Sequence, residues 1–434
     1  MNRRLALFLT LAVSTGAAGQ TTPISPRATG MVDAGGSILR GPAGAIYNPG
    51  NLGLPGNPKF SLEIPAVGVS YGSAPISLKE IKNYENEIIP DDVKSEWLDR
   101  IRSEGGYQLA VEGVARGIGV SFGPFAFNIL GAGVGRGNIP PDAAELLLFG
   151  NAGEDGDPSD LTFDNGRASG FALSYVMASY GRVVMRKEQG GSTRLLSIGA
   201  SAKYAMGHAY ANMWQVDGTV SGDPLESDIT FPVVSITPDG GFKVADGFGL
   251  DVGAAYQQGR LTLGFSVTDL VNTLTWDPDK AFVRDGSAVV NDDSSAANFA
   301  KRPLDDPSVD PEIRDRAIEE LKNAELDPVL RASAAYRFRD NLTLVGEFLH
   351  RTGDRVIQPD AKTSVGVGAE YRPIQMLPVR AGFALITGGA RWSLGAGIEF
   401  WGMRLDLAFG QRYSNDIGDT RQLAAGLTIG GIGP

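Results

Sequence analysis

Hydrophobic residues alternate with small or charged ones along most of this chain. Between Arg391 and Phe400, Trp392, Leu394, Ala396, Ile398 and Phe400 share one parity, while Arg391, Ser393, Gly395, Gly397 and Glu399 share the other. Successive side chains of a strand point to opposite faces, so this stretch predicts one strand with an oily face and a small-or-ionic face. The same rule holds at 196–204, 250–257, 261–268, 330–338, 364–372, 404–413 and 422–429. In all, fourteen strands are expected, at 59–72, 107–118, 124–136, 167–185, 194–210, 247–257, 260–274, 328–338, 341–351, 363–372, 378–387, 391–400, 403–413 and 421–430. Residues 225–236 have the pattern of a further strand inside a loop, which leaves the count open by two. Long connections at 73–106, 137–166, 211–246 and 275–327 alternate with short ones through most of the chain. Two long connections predict helices. One is capped by Asp92 and shows Val93, Trp97 and Ile101 on one side; the other covers 311–326 with Pro311 near its first turn.

Two architectures accommodate such alternation. A soluble sandwich buries its oily faces between sheets, whereas a transmembrane barrel turns them to lipid and lines its lumen with the rest. The polar face here is rich in Gly, Ala and Ser, interspersed with Arg, Glu and Asp of both signs. Small residues relieve crowding inside a closed wall, and opposite charges there can pair. Most expected strands approach the ~9–11 residues that cross a membrane when tilted. Aromatics gather near strand ends, among them Tyr71, Tyr204, Tyr256, Trp276, Tyr336, Tyr371, Trp401 and Tyr413. The pattern therefore favours an all-β fold: a transmembrane antiparallel up-and-down β-barrel of about fourteen strands, with helices in its extracellular loops.

Composition sharpens this picture. The 434 residues carry 39 Lys+Arg against 50 Asp+Glu, a formal charge of −11 that argues against nucleic acid as a partner. With no Cys and only His208 and His350, thiol chemistry and His-rich metal centres are excluded, and no cofactor is expected. Arg3 and Arg4 precede an apolar run from Leu5 to Val13 and small residues at 16–19, the layout of a signal peptide over 1–19. No other segment approaches the apolar length of a spanning helix. Residues 20–58 then form an N-terminal segment, and 59–434 the barrel of an exported outer-membrane protein. No metalloprotease, phosphate-loop or nucleophile-elbow motif occurs, so an enzyme is not expected. The charged lumen positions Arg331, Arg337, Glu370, Arg372, Arg380, Glu399, Arg404 and Asp406 read as a structural salt-bridge lattice rather than a selectivity filter.

Residues 27–53 read RATGMVDAGGSILRGPAGAIYNPGNLG, ending in Tyr47-Asn48-Pro49-Gly50. This stretch resembles the start of the FadL-type outer-membrane transporter superfamily, which opens with a Gly/Ala-rich segment and an Asn-Pro-Ala-type motif. Residues 249–270 and 370–383 are also similar to that group. Its related branches include the TraF-type conjugal-transfer proteins and the PorV-type secretion accessory proteins. The resemblance implies that residues 28–52 plug the lumen as a hatch. It also implies a lateral exit at a kink in the third strand. There Gly131, Gly133, Gly135 and Gly137 continue the parity of Phe125, Phe127 and Ile129. Interior glycines equally suit close packing of the hatch or a loop against the strand. The implied function is passive uptake of small hydrophobic molecules through a plugged barrel in outer-membrane lipid. The alternative is a non-transporting barrel that assists or anchors a cell-envelope secretion or conjugation machine, with an envelope protein as partner.

Overall fold

A computed structural model describes residues 25–157, 160–189, 192–221, 226–238, 241–284, 286–291, 294–298, 300–353, 362–414 and 419–430. The expected signal peptide, 1–19, lies outside them.

The chain folds into a closed antiparallel barrel of fourteen strands. They are β1 (Phe60–Ala74), β2 (Tyr107–Phe122), β3 (Phe125–Ile139), β4 (Arg167–Gln189), β5 (Ser192–Met213), β6 (Ala245–Gln258) and β7 (Leu261–Asn272). The second half comprises β8 (Val329–Arg339), β9 (Leu342–Arg351), β10 (Thr363–Ile374), β11 (Leu377–Ile386), β12 (Gly389–Phe400), β13 (Met403–Ser414) and β14 (Asp419–Ile429). Each strand pairs with the next, and β14 returns to β1 through Leu62↔Ile429 and Val69↔Leu423, which closes the wall. Closure leaves no free edge along the membrane-spanning wall, so backbone polar groups are met within it.

The alternation resolves as a barrel and not a sandwich. Val67, Val69, Phe265, Val367, Phe383, Leu394 and Leu407 all project outward and are exposed. Their register neighbours Glu63, Ser266, Glu370, Arg380, Ser393 and Asp406 face inward and are buried. Lipid removes the cost that water would impose on so large an apolar surface.

Turns of two residues join the strands at one rim. At the other, longer loops carry the helices and a second, five-stranded sheet. The strand expected at 225–236 belongs to these loops as Glu226–Thr230 and Val233–Ile236, so it leaves the barrel count unchanged. Within the barrel lie the helices α1 (Pro26–Thr29) and α2 (Gly41–Tyr47). The loops hold α3 (Leu78–Lys82), α4 (Asp91–Ser103), α5 (Pro141–Phe149) and α6 (Pro311–Lys322). Pro90, not Asp92, occupies the position before α4. Asp91 and Asp92 instead fall in its first turn, where carboxylates favour the helix dipole. Trp97, Leu98 and Ile101 of α4 pack with Ile76 and Ala144 into one loop core. A larger core joins Ala317 and Leu321 of α6 to Val234, Ile236, Leu274, Trp276 and Tyr210. The Trp276 indole N–H donates to the Ala324 carbonyl at 2.8 Å, tying that core to the end of α6.

Candidate functional site

The interior is occupied by residues 25–54, nearly all of them buried. Their small side chains let the backbone run close to a wall that is itself built of small residues. Gly30 illustrates this, since a Cβ there would come within 2.9 Å of the Gly395 backbone.

The Tyr47-Asn48-Pro49-Gly50 motif is the best-defined part of this segment. Asn48 accepts from the Gly50 N–H at 2.9 Å, capping the short 3₁₀ turn Pro49–Gly53. Its Nδ2 donates to the Ala254 carbonyl of β6, also at 2.9 Å. One side-chain amide thus starts the turn and pins it to the wall. Beneath the turn, Gly181, Gly199 and Gly253 sit side by side in one register row across β4, β5 and β6. A Cβ on Gly199 would overlap the Pro49 carbonyl, and one on Gly253 would overlap the Asn48 side chain. Gly50 is equally constrained, with the Ala254 backbone 3.0 Å from where its Cβ would be. Tyr47 is fully buried, its carbonyl accepts from Ser266 at 2.8 Å, and the Arg331 guanidinium lies over its ring at 4.8 Å.

Ionic contacts fasten the rest of the segment. Arg27 forks onto Glu370 with two bonds of 2.8 Å. Asp33 holds Arg391 at 2.8 Å, and the Gly36 N–H donates to Glu347 at 2.8 Å. Seven of the eight charged lumen positions read from the sequence are joined by ion pairs. Arg380 bridges Glu370 and Asp406, each at 2.7 Å, while Arg372 reaches Glu399 at 2.8 Å and Glu370 at 3.2 Å. Arg404 meets Asp406 at 2.8 Å, and Arg331 pairs with Glu347 on another part of the wall. Arg337 differs: it has inward parity but lies exposed near the short-turn rim. Sequence reasoning missed a further buried cluster, in which Lys203 lies between Asp251 at 2.8 Å and Asp269 at 2.6 Å. Lys203 and Asp251 share the inward parity of their strands, but their meeting depends on register between strands distant in sequence.

The glycine run of β3 does not open the wall. Gly131, Gly133, Gly135 and Gly137 pair without a break to β2 on one side and to β4 on the other. Glycine retains its backbone N–H and C=O, so the ladder persists and only the outward side chains are missing. The result is a furrow on the lipid side and not the expected gap.

The wall does loosen elsewhere. Between β1 and β2 the pairs Ile64/Ile118 and Pro65/Gly117 are absent from an otherwise continuous ladder. At the same height the register slips between β1 and β14, at Ile64/Val67, and between β2 and β3, at Arg116/Gly119. Pro65 has no N–H to give, which accounts for the break. Behind this seam lie a buried Glu63–Arg116 ion pair, at 2.7 Å, and Pro42 of α2. The Pro42 carbonyl accepts from Asn128 at 3.2 Å. Six rungs further along the β1–β2 wall, Ser70 and Glu112 border a polar cavity of about 30 Å³. Thr29, Arg391, Ser393, Thr420 and Gln422 also line it.

Comparison with known proteins adds the following. A sequence profile described as "Family of unknown function (DUF5723)" matches residues 53–410. No curated protein matches the chain. Among solved structures, the toluene transporter TbuX of Ralstonia pickettii is similar at 15% identity and a TM-score of 0.51, covering 94% of this chain and 97% of that one. The toluene transporter TodX of Pseudomonas putida gives 12% identity and a TM-score of 0.47, over 95% and 99% of the two chains. A FadL homologue of Pseudomonas aeruginosa gives 12% and 0.47, over 95% and 98%. At such identities the likeness is one of fold alone, and with TbuX it extends over nearly the whole of both chains.

Proposed function

The chain belongs to the family of unknown function DUF5723, and we propose that it takes up small hydrophobic molecules passively across the outer membrane. In this reading residues 1–19 direct export, the segment 20–58 supplies the plug of the lumen, and the cargo leaves sideways into the bilayer. The observation that carries it is the seam at Ile64–Pro65 and Gly117–Ile118. It lies on the same β1–β2 wall as the cavity, and Pro42 of the plug stands behind it. A shift of the first turn of α2 would uncover the seam from the lumen side. The toluene transporter TbuX, similar in fold, lends support at the level of architecture only.

Packing of the lumen favours a second reading, a static plug in a barrel that anchors an envelope machine. The cavity has room for only a few water molecules, and its lining is polar.

A disulfide across the seam separates the two. The chain has no cysteine, so Ile64→Cys with Ile118→Cys introduces the only thiols. These positions lie opposite each other across the break, between the paired rungs Glu63↔Gly119 and Ala66↔Arg116. In proteoliposomes, oxidation of the double variant is expected to cut uptake of a labelled alkylbenzene about tenfold, and a reductant to restore it, since a closed exit removes the path. Uptake that ignores the redox state would discard the seam as an exit. No uptake by the parent protein would favour the static plug.

A further inference from the structure

The two-residue turns at the short-turn rim leave little strand beyond the wall, with one exception. Tilt alone makes strands overhang their neighbours slightly. Thus Leu261 pairs with Tyr336 and β8 ends three residues on, at Arg339; Leu342 pairs with Tyr371 and β10 ends three residues on, at Ile374. At β4 the overhang is much longer. Phe125, the first residue of β3, pairs with Tyr180, and β4 continues nine residues further, to Gln189. The Phe125 and Tyr180 rings pack at 4.9 Å, which marks the aromatic rim of the wall at this point. The excess over tilt is about six residues, or ~20 Å of strand at ~3.3 Å per residue.

The ribbon formed by β4 and β5 beyond this rim is paired on one side only. On the β5 side β4 is paired to Gln189↔Ser192, and β5 in turn pairs with β6 as far as Arg194↔Gln258. On the other edge the last contact is the Gly181 N–H donating to the Pro124 carbonyl at 3.0 Å. Among the described residues no strand pairs with 182–189 there. Alternate N–H and C=O groups along that edge therefore face open space.

The side chains of the ribbon are as unusual as its length. The chain carries −11 overall, yet residues 182–194 contain Arg182, Arg186, Lys187 and Arg194 against one acid, Glu188. That acid pairs with Arg186 at 3.4 Å. Val184, at the bulge between Val183 and Met185, is 48% exposed. Cations often guard an edge strand against unwanted pairing, but guarded edges are also kept short. Guarding accounts for the charges and not for the extra length.

We propose that the free edge of β4, from Arg182 to Gln189, is a docking site for an extended acidic segment of a partner protein on the short-turn side of the membrane. The segment would add a strand to the ribbon. Its backbone would meet the open edge, its carboxylates, present on both faces, would meet Arg186 on one face and Lys187 on the other, and an apolar residue would lie near Val184. A second copy of this chain does not fit, because two basic edges would face each other. Headgroups of the nearer lipid leaflet would satisfy the cations but would leave the backbone groups unmet.

The test uses the full chain in nanodiscs and a synthetic Glu-Val peptide eight residues long, Glu-Glu-Val-Val repeated, which puts carboxylates on both faces of a strand. Amide hydrogen exchange at 182–189 is expected to slow about tenfold on titration with this peptide, as strand pairing protects the edge. A peptide N-methylated at alternate amides, which cannot pair, should give no protection. Arg186→Glu with Lys187→Glu should abolish the effect for the Glu-Val peptide and transfer it to a Lys-Val peptide, a swap that a misfolded variant would not show. Equal protection by the N-methylated peptide would overturn the proposal, as would no protection at all. Protection produced instead by adding phosphatidylglycerol to the nanodisc, without peptide, would assign the ribbon to the lipid surface and equally overturn it.

Discussion

Arg380→Ala is expected to be the most destabilising single change on the inner wall. Arg380 is fully buried and bridges two carboxylates, Glu370 and Asp406, each at 2.7 Å. Removing one partner of a buried pair costs ~3–5 kcal/mol, largely because a charge is left behind without compensation. Here Arg27 and Arg372 still face Glu370, and Arg404 still faces Asp406, so the lower end, about 3 kcal/mol, is expected. Urea unfolding of the detergent-solubilised barrel, followed by intrinsic fluorescence, would measure it. Replacing Glu370 and Asp406 by Gln and Asn in the same chain should not recover the loss, since Arg27 and Arg404 would then lose their own partners. Arg337→Ala provides the contrast. That side chain is exposed, and its removal should change stability by no more than about 0.5 kcal/mol. Equal effects of the two alanine variants would mean that the ion pairs of the wall contribute nothing beyond ordinary surface charges.

This contrast also shows where the sequence was legible. Alternation places Arg337 and Arg380 in one class, because both carry a charge at an inward position of a strand. Parity fixes the face but not the height, and Arg337 lies near the rim while Arg380 lies under the plug. Height depends on how strands far apart in sequence are registered, which no local pattern encodes. Strand identity is different. β12 was expected at 391–400 and runs Gly389–Phe400, because its two faces differ at every step. β4 was expected at 167–185 and runs to Gln189. Its extension, Arg186-Lys187-Glu188, has no oily face and so gives no strand signal; it has left the lipid. The seam left a visible trace in Pro65, since proline within a strand marks a bulge or an edge. The glycine run of β3 misled for the opposite reason: it lacks side chains but not backbone partners. Within the lumen segment, Asn48-Pro49-Gly50 stood out by resemblance. The seat beneath it, Gly181, Gly199 and Gly253, appeared only as small residues on the polar faces of three separate strands.

That seat supplies the second large effect. Gly199→Leu is expected to unseat the lumen segment while leaving the barrel intact. A leucine at this position would point inward, where the Pro49 carbonyl and the Gly50 N–H already occupy the space of its first carbon. Overpacking against side chains costs ~1–3 kcal/mol, and here the obstacle is backbone held by the Asn48 bonds to Gly50 and Ala254. The β5 ladder uses only main-chain groups at Gly199, so the wall can keep its pairing with Gly181 and Gly253. The segment is the weaker element and should yield. Proteoliposomes carrying the variant should then leak a small polar dye at least about tenfold faster than those carrying the parent protein, because a polar lumen without its plug conducts water-soluble molecules. Protease added to the variant should cut within residues 25–54, nearly all of which are buried in the parent. Gly131→Leu is the control, since its new side chain would project into lipid with only the Ala115 carbonyl near its first carbon, at 3.8 Å, and should produce neither leak nor cleavage. Tight vesicles and a protected segment in Gly199→Leu would show that the lumen segment can move aside from the β4–β6 wall and still fill the barrel, and would remove the glycine row as what holds it in place.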